Sequence, residues 1–125
     1  MNLHNNIILV TGGSGLLGSA MIEDIRSRGG IPINIDLQVP CDLEKGTWAA
    51  DITDDLAVQN AVAKIHAHFG RIDGLVNNAY PRTADWGKRF EEVDPASWRK
   101  NVDMQLNSYF VISQAVLAMM EAQGS

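Results

Sequence analysis

Cysteine, positive charge and aromatic side chains are all scarce in this sequence. Its 125 residues include one cysteine, 6% aromatics, and 10 lysines and arginines against 15 aspartates and glutamates. A single thiol cannot close an internal disulfide, so a cysteine-stapled scaffold is excluded. A net charge of −5 leaves no broad basic footprint of the kind a phosphate backbone requires, and nucleic acid is not an expected partner. No apolar run approaches the roughly 18 to 20 residues that span a bilayer. The start, Met1-Asn2-Leu3-His4-Asn5-Asn6, also lacks the basic beginning of a signal peptide. The expectation is therefore a cytoplasmic protein with no membrane partner. His66 and His68 lie two apart on a helical stretch, pointing about 200° from each other, and His4 is in the leader, so no metal site is expected. Cys41 has no histidine or second thiol beside it and reads as a buried or inert thiol.

What remains is an ordinary globular composition, 46% hydrophobic with eleven glycines, in a length that suits one domain. Residues 6–11 form a short apolar run ending Ile7-Ile8-Leu9-Val10-Thr11, which reads as a strand buried on both faces. After a glycine turn, residues 16–28 carry Leu17, Ala20, Met21 and Ile25 at helical spacing and stop at Gly29-Gly30. Further strands are expected over 31–36, 46–51 and 72–79. A helix over 55–69 is capped by Thr53 or Asp54 and ends at Gly70. Residues 81–94 have no clear period and read as a loop with one short helical turn. One long helix is expected over 95–122. Twelve of the seventeen residues from Met104 to Met120 are apolar, enough to bury that helix on two sides. Strands alternating with helices define βαβ units and a parallel sheet. The expected fold class is α/β, a Rossmann-type doubly wound sheet.

The turn between the first strand and first helix reads Gly12-x-x-Gly15-x-x-Gly18. In such a turn the first glycine permits the tight exit from the strand. The second lets backbone approach a pyrophosphate, and the third lets the helix pack closely on the strand. The helix N-terminus presents free N–H groups and a positive dipole end to phosphates. Asp36 ends the second strand, where a carboxylate accepts hydrogen bonds from ribose hydroxyls and repels a 2′-phosphate. These features select NAD over NADP; the nearest later lysine is Lys45. The plainer alternative is a tight βα turn followed by a surface carboxylate.

Taken together, Thr11-Gly12-Gly13-Ser14-Gly15-Leu16-Leu17-Gly18, Ala50-Asp51-Ile52-Thr53-Asp54 and Asn77-Asn78-Ala79 resemble the short-chain dehydrogenase/reductase family, specifically its N-terminal, cofactor-binding half. The resemblance implies that residues 1–125 are an NAD-binding Rossmann domain, truncated after the fourth strand and the long helix. It implies that Gly12, Ser14, Gly15 and Leu17 line the pyrophosphate and Gly18 packs the helix. Asp36 holds the adenosine ribose, Asp51 and Ile52 flank the adenine, Asn78 and Ala79 pass beneath the cofactor ribose, and Asn77 supports the sheet. The implied activity is NAD-dependent interconversion of an alcohol and a ketone, with a sugar derivative as one possible small-molecule substrate. A homo-oligomer through the 95–122 helix is implied as well. The glycine spacing is closer to the extended members, which include nucleotide-sugar epimerases and dehydratases, whereas Asn-Asn-Ala is closer to the short oxidoreductases.

The family's proton-transferring pair is Tyr-x-x-x-Lys. Tyr80 is followed four residues later by Ala84 and Tyr109 by Ser113, so the 125 residues do not contain it. A non-catalytic dinucleotide-binding fragment therefore stays open as an alternative. Gln105 falls where the family carries a positioning Asn, and is the one catalytic candidate. Tyr80, where glycine is usual, either narrows the substrate mouth or caps the strand end. Arg82, Lys88 and Arg89 either meet an anionic substrate or form a solvated loop balanced by Asp85, Glu91 and Glu92.

Overall fold

The computed structural model describes residues 1–125. Four parallel strands, β1 (Ile7–Thr11), β2 (Ile31–Asp36), β3 (Thr47–Ala49) and β4 (Gly74–Val76), form one sheet in the order β3-β2-β1-β4. Helices α1 (Leu16–Ser27) and α2 (Asp55–Phe69) make the crossovers, and α3 (Pro95–Val102) and α4 (Ser108–Gln123) follow. The expected doubly wound α/β class is what the chain adopts. The order runs outward from β1 to β3 and then returns to β4 on the other side of β1. This reversal opens a crevice at the carboxyl ends of the strands.

Side-chain alternation along β1 distributes the core. Ile7 and Leu9 face a larger cluster with Ile33, Ile35, the α2 residues Val58, Val62 and Ile65, and the α4 residues Ile112 and Val116. Ile8 and Val10 face the opposite way, onto Ile22 and Ile25 of α1. Since β1 is buried on both faces, its sequence is an apolar run and not an alternation. Asp54 caps α2 by accepting the Ala57 amide at 3.1 Å, and Gly70 closes it in the left-handed conformation at φ 79°. Helix α1 begins at Gly15 with no side-chain cap and no acidic residue in its first turn.

Three expectations need correction. The fourth strand is three residues long, not eight, because beyond Val76 the Asn78 and Ala79 amides turn to the Thr11 hydroxyl and leave the ladder. The helix expected over 95–122 is not uniform. Its winding widens to a π turn over Asp103–Asn107, where Asn107 Nδ2 bonds Asp103 Oδ1 at 2.6 Å. It is also not buried on two sides: Ile112 and Val116 are covered, while Phe110 and Leu117 are exposed. Cys41 is exposed, not buried. Asp73 is more than a turn carboxylate, since its Oδ2 accepts the Ile7 amide at 2.8 Å and ties the starts of β1 and β4 together. The paired Arg71 guanidinium, with help from that amide, holds the Asp73 carboxyl below its ordinary range despite partial burial.

Candidate dinucleotide cleft

The glycine turn is held by side chains from three strands. Thr11 ends β1 fully buried, and its Oγ1 accepts the Asn78 and Ala79 amides, each at 3.0 Å. Asn78 Nδ2 returns two bonds, to the Thr11 and Gly12 carbonyls at 3.0 Å each. From β2, buried Asn34 accepts the Gly13 amide through Oδ1 at 2.8 Å and donates to Ser14 Oγ at 3.0 Å. The Ser14 amide donates to Asp36 Oδ2 at 3.0 Å, and Leu37 N–H to Asp36 Oδ1 at 2.8 Å.

Packing separates the three glycines. Gly12 has φ +66°, and a Cβ there would lie 2.9 Å from the Ala79 Cα. A Cβ on Gly18 would fall 2.3 Å from the Gly12 carbonyl oxygen and 2.8 Å from Asn78 Nδ2, so the helix can approach the turn this closely only as glycine. At Gly15 a Cβ would meet only the Gly12 carbonyl, at an ordinary 3.5 Å, and φ is −79°. The protein itself has no need of glycine at position 15. The open space beside it, next to an uncapped helix end, is what a pyrophosphate requires. The residues present therefore fit a dinucleotide.

Beside the turn lies a cleft of about 190 Å³ whose walls include Gly12, Asp36, Asp51, Ile52, Ala79 and Tyr80. Five of the ten sequence-derived cofactor residues thus share one cleft. Ser14, Gly15 and Leu17 are exposed along the turn and the start of α1, and Gly18 and Asn78 lie behind it as packing and clamp. Asp51 Oδ1 accepts the Thr53 amide at 2.9 Å and hydroxyl at 2.7 Å, which fixes the carboxylate at the cleft wall. Gln105 is not among the lining residues; it sits in the π turn with its buried Nε2 unpartnered. Tyr80 lines the cleft with Pro81. Asn77 Nδ2 bonds Ser113 on α4 at 3.1 Å, joining that helix to the sheet.

Sequence reasoning missed Thr11, Asn34 and Tyr109. The Tyr109 hydroxyl donates to the Ala79 carbonyl from α4, and burial, then the neighbouring Tyr80, hold its acidity below that of an ordinary phenol. Asn34 did leave a signal, a lone amide among the isoleucines of a strand buried along its centre. A buried polar group needs a partner, and the glycine turn supplies it.

A reversed parallel sheet, a glycine cradle and a carboxylate-walled cleft define a Rossmann-type domain. Residues 36–125 match the family described as Enoyl-(Acyl carrier protein) reductase. The chain is 33% identical to sorbitol-6-phosphate 2-dehydrogenase of Klebsiella pneumoniae, an alignment covering 98% of this chain and 50% of that protein. It is 29% identical to the 3-oxoacyl-[acyl-carrier-protein] reductase FabG of Escherichia coli (strain K12), covering 96% of this chain and 51% of the relative. The crystal structure of NAD+-bound xylitol dehydrogenase superposes with a TM-score of 0.84 at 23% identity, a likeness of fold, over 98% of this chain and 51% of that one. The chain belongs to the short-chain dehydrogenase/reductase family of oxidoreductases. It spans about half the length of the curated relatives it matches.

Proposed function

We propose that this chain is the dinucleotide-binding part of an NAD-dependent oxidoreductase that interconverts an alcohol and a ketone. The observation that carries the reading is the cleft at the carboxyl edge of the sheet, where the glycine turn meets Asp36 and Asp51. In this reading Gly12, Ser14, Gly15 and Leu17 face the pyrophosphate, and Gly18 keeps α1 against the turn. Asp36 accepts from the adenosine ribose hydroxyls, Asp51 and Ile52 flank the adenine, and the Asn78-Ala79 backbone passes under the second ribose. When bound, the dinucleotide supplies hydride acceptance or donation at the substrate carbon. Tyr109 and Asn78 hold the backbone below it in place, and Gln105, with its free amide N–H, is the positioning residue of this chain.

The choice of NAD rests on charge. Asp36 and Asp51 line the cleft, and no lysine or arginine does. A 2′-phosphate about 5 Å from one carboxylate would be repelled by roughly 3 kcal/mol at an effective dielectric near 20, about two orders of magnitude in affinity before salt screening. Titration calorimetry of the chain with NAD and NADP tests this. The chain is expected to prefer NAD, and Asp36→Arg to erase or reverse the preference. An unchanged preference in Asp36→Arg sinks the assignment.

For the substrate, a polyol or sugar derivative is the reading favoured by the likeness to sorbitol-6-phosphate 2-dehydrogenase. The Gly-x-x-Gly-x-x-Gly spacing favours a second reading, a nucleotide-sugar epimerase or dehydratase. Net reduction of NAD by substrate in the whole protein separates the two. Exposed Leu106, Phe110 and Leu117 support association of two copies through the 95–122 segment.

A further inference from the structure

The loop after β4 carries three cations, and the structure sorts them. Arg89 is paired with Glu91 at 2.8 Å. Asp85, the carboxylate closest in sequence to Arg82, accepts the Thr83 hydroxyl. The hydroxyls of Thr83 and then Ser97, with the charge of Lys88, hold its carboxyl below the ordinary range. Arg82 is in none of the chain's ion pairs and makes no side-chain hydrogen bond to protein. Its guanidinium lies over the Tyr80 ring, 5.8 Å from the centroid, and Tyr80 in turn meets Trp86 edge-on at 5.4 Å.

Two features make this cation more than a solvated surface charge. Tyr80 is a wall of the cleft, so the stacking sets Arg82 at the rim where the cleft leaves Ala79 and Pro81. The next residue is anchored: Thr83 N–H donates to Asn101 Oδ1 at 2.9 Å, and Asn101 Nδ2 donates to Thr83 Oγ1 at 2.8 Å and to the Ser97 carbonyl at 2.9 Å. Asn101 is buried on α3, so the backbone at Arg82 is fixed by a satisfied interior amide. A planar guanidinium held by aromatic stacking keeps its hydrogen-bonding fork directed outward and loses little freedom on binding an oxyanion. In a chain of net charge −5, an unpaired cation beside a carboxylate-walled cleft is the local exception.

We propose that Arg82 is a substrate-specificity residue that binds a phosphate monoester on the substrate, making the substrate class phosphorylated polyols and hydroxyketones. This deepens the oxidoreductase reading and rests on it in taking the cleft as the cofactor's. The other source of phosphate is the cofactor's own pyrophosphate, which the glycine turn serves in that reading.

The test is calorimetry on the 125-residue chain, with and without NAD, using inorganic phosphate, sorbitol and sorbitol 6-phosphate as probes, for the native chain, Arg82→Ala and Arg82→Lys. The native chain is expected to bind the phosphate ester and not sorbitol. Arg82→Ala should weaken the ester at least tenfold, and Arg82→Lys should recover only part of that because lysine lacks the fork. NAD affinity should stay within twofold in both variants. The proposal is overturned if the native chain binds neither phosphate probe at millimolar concentration, or if Arg82→Ala binds the ester as the native chain does. It is equally overturned if NAD affinity falls as much as ester affinity, which would assign Arg82 to the cofactor. Ester binding without NAD binding in the native chain would sustain the anion site and defeat the oxidoreductase reading.

Discussion

Around the glycine turn the polar side chains find partners within the chain, whereas along β4 and α4 several do not. Strand β1 is five residues long, wholly buried and hydrogen-bonded on both sides, and Thr11, Asn34 and Asn78 each make at least two bonds at its end. Strand β4 is three residues long, half-buried and paired only to β1. Behind it Asn77 Oδ1 and Gln105 Nε2 are buried without partners, while Leu106, Phe110 and Leu117 are 65%, 64% and 61% exposed. The first region has a geometry that its own bonds over-determine, which is what a preorganised binding cradle needs. The second is an apolar surface with an unpaired strand edge, the kind of surface that associates.

Substitution at Gly18 puts the greatest strain on this contrast. Gly18→Ala places a Cβ against the Gly12 carbonyl and Asn78, and is expected to cost about 2 to 3 kcal/mol in urea unfolding and to weaken NAD binding with it. Retention of full stability would mean that the turn is not over-determined. Gly15→Ala should act in the opposite sense on stability. Because its backbone suits alanine and its space is open, stability should stay level or rise by up to about 1 kcal/mol, while NAD affinity falls at least tenfold. If affinity is unaffected, the space beside Gly15 is not where the pyrophosphate lies. Phe110→Ser on the second region should change folding stability by less than about 0.5 kcal/mol, yet shift sedimentation toward a single copy. Unchanged association would leave the α4 surface without that role.

Much of the first region was legible in the sequence, because each element there depends on neighbours close in the chain. The β1 run, the glycine spacing, the Asp54 cap and Asp36 at the end of β2 are local signals, and the structure places them as read. Thr11 and Asn34 escaped notice because their partners lie 21 to 68 residues away, at Gly13, Asn78 and Ala79. The 95–122 segment was legible only as helical. Apolar content said that it packs, but which side packs depends on the π turn at 103–107, which shifts the winding between α3 and α4. The loop cations were the least legible, since a count of acids and bases cannot assign pairs.

By itself, then, the sequence determined the succession of strands and helices, the parallel sheet they imply, and the glycine-turn chemistry, because hydrophobic period, glycine and capping residues act over a few positions. The scarcity of cysteine and positive charge likewise ruled out whole classes of protein without reference to shape. Only the tertiary structure decided that Asn34 and Thr11 brace the turn and that Gly15 faces open space while Gly18 does not. It alone also decided that, of three loop cations, Arg82 is the one stacked at the cleft with its charge unpaired. Those distinctions turn on distances of a few tenths of an ångström between residues far apart in the chain, which no local pattern encodes.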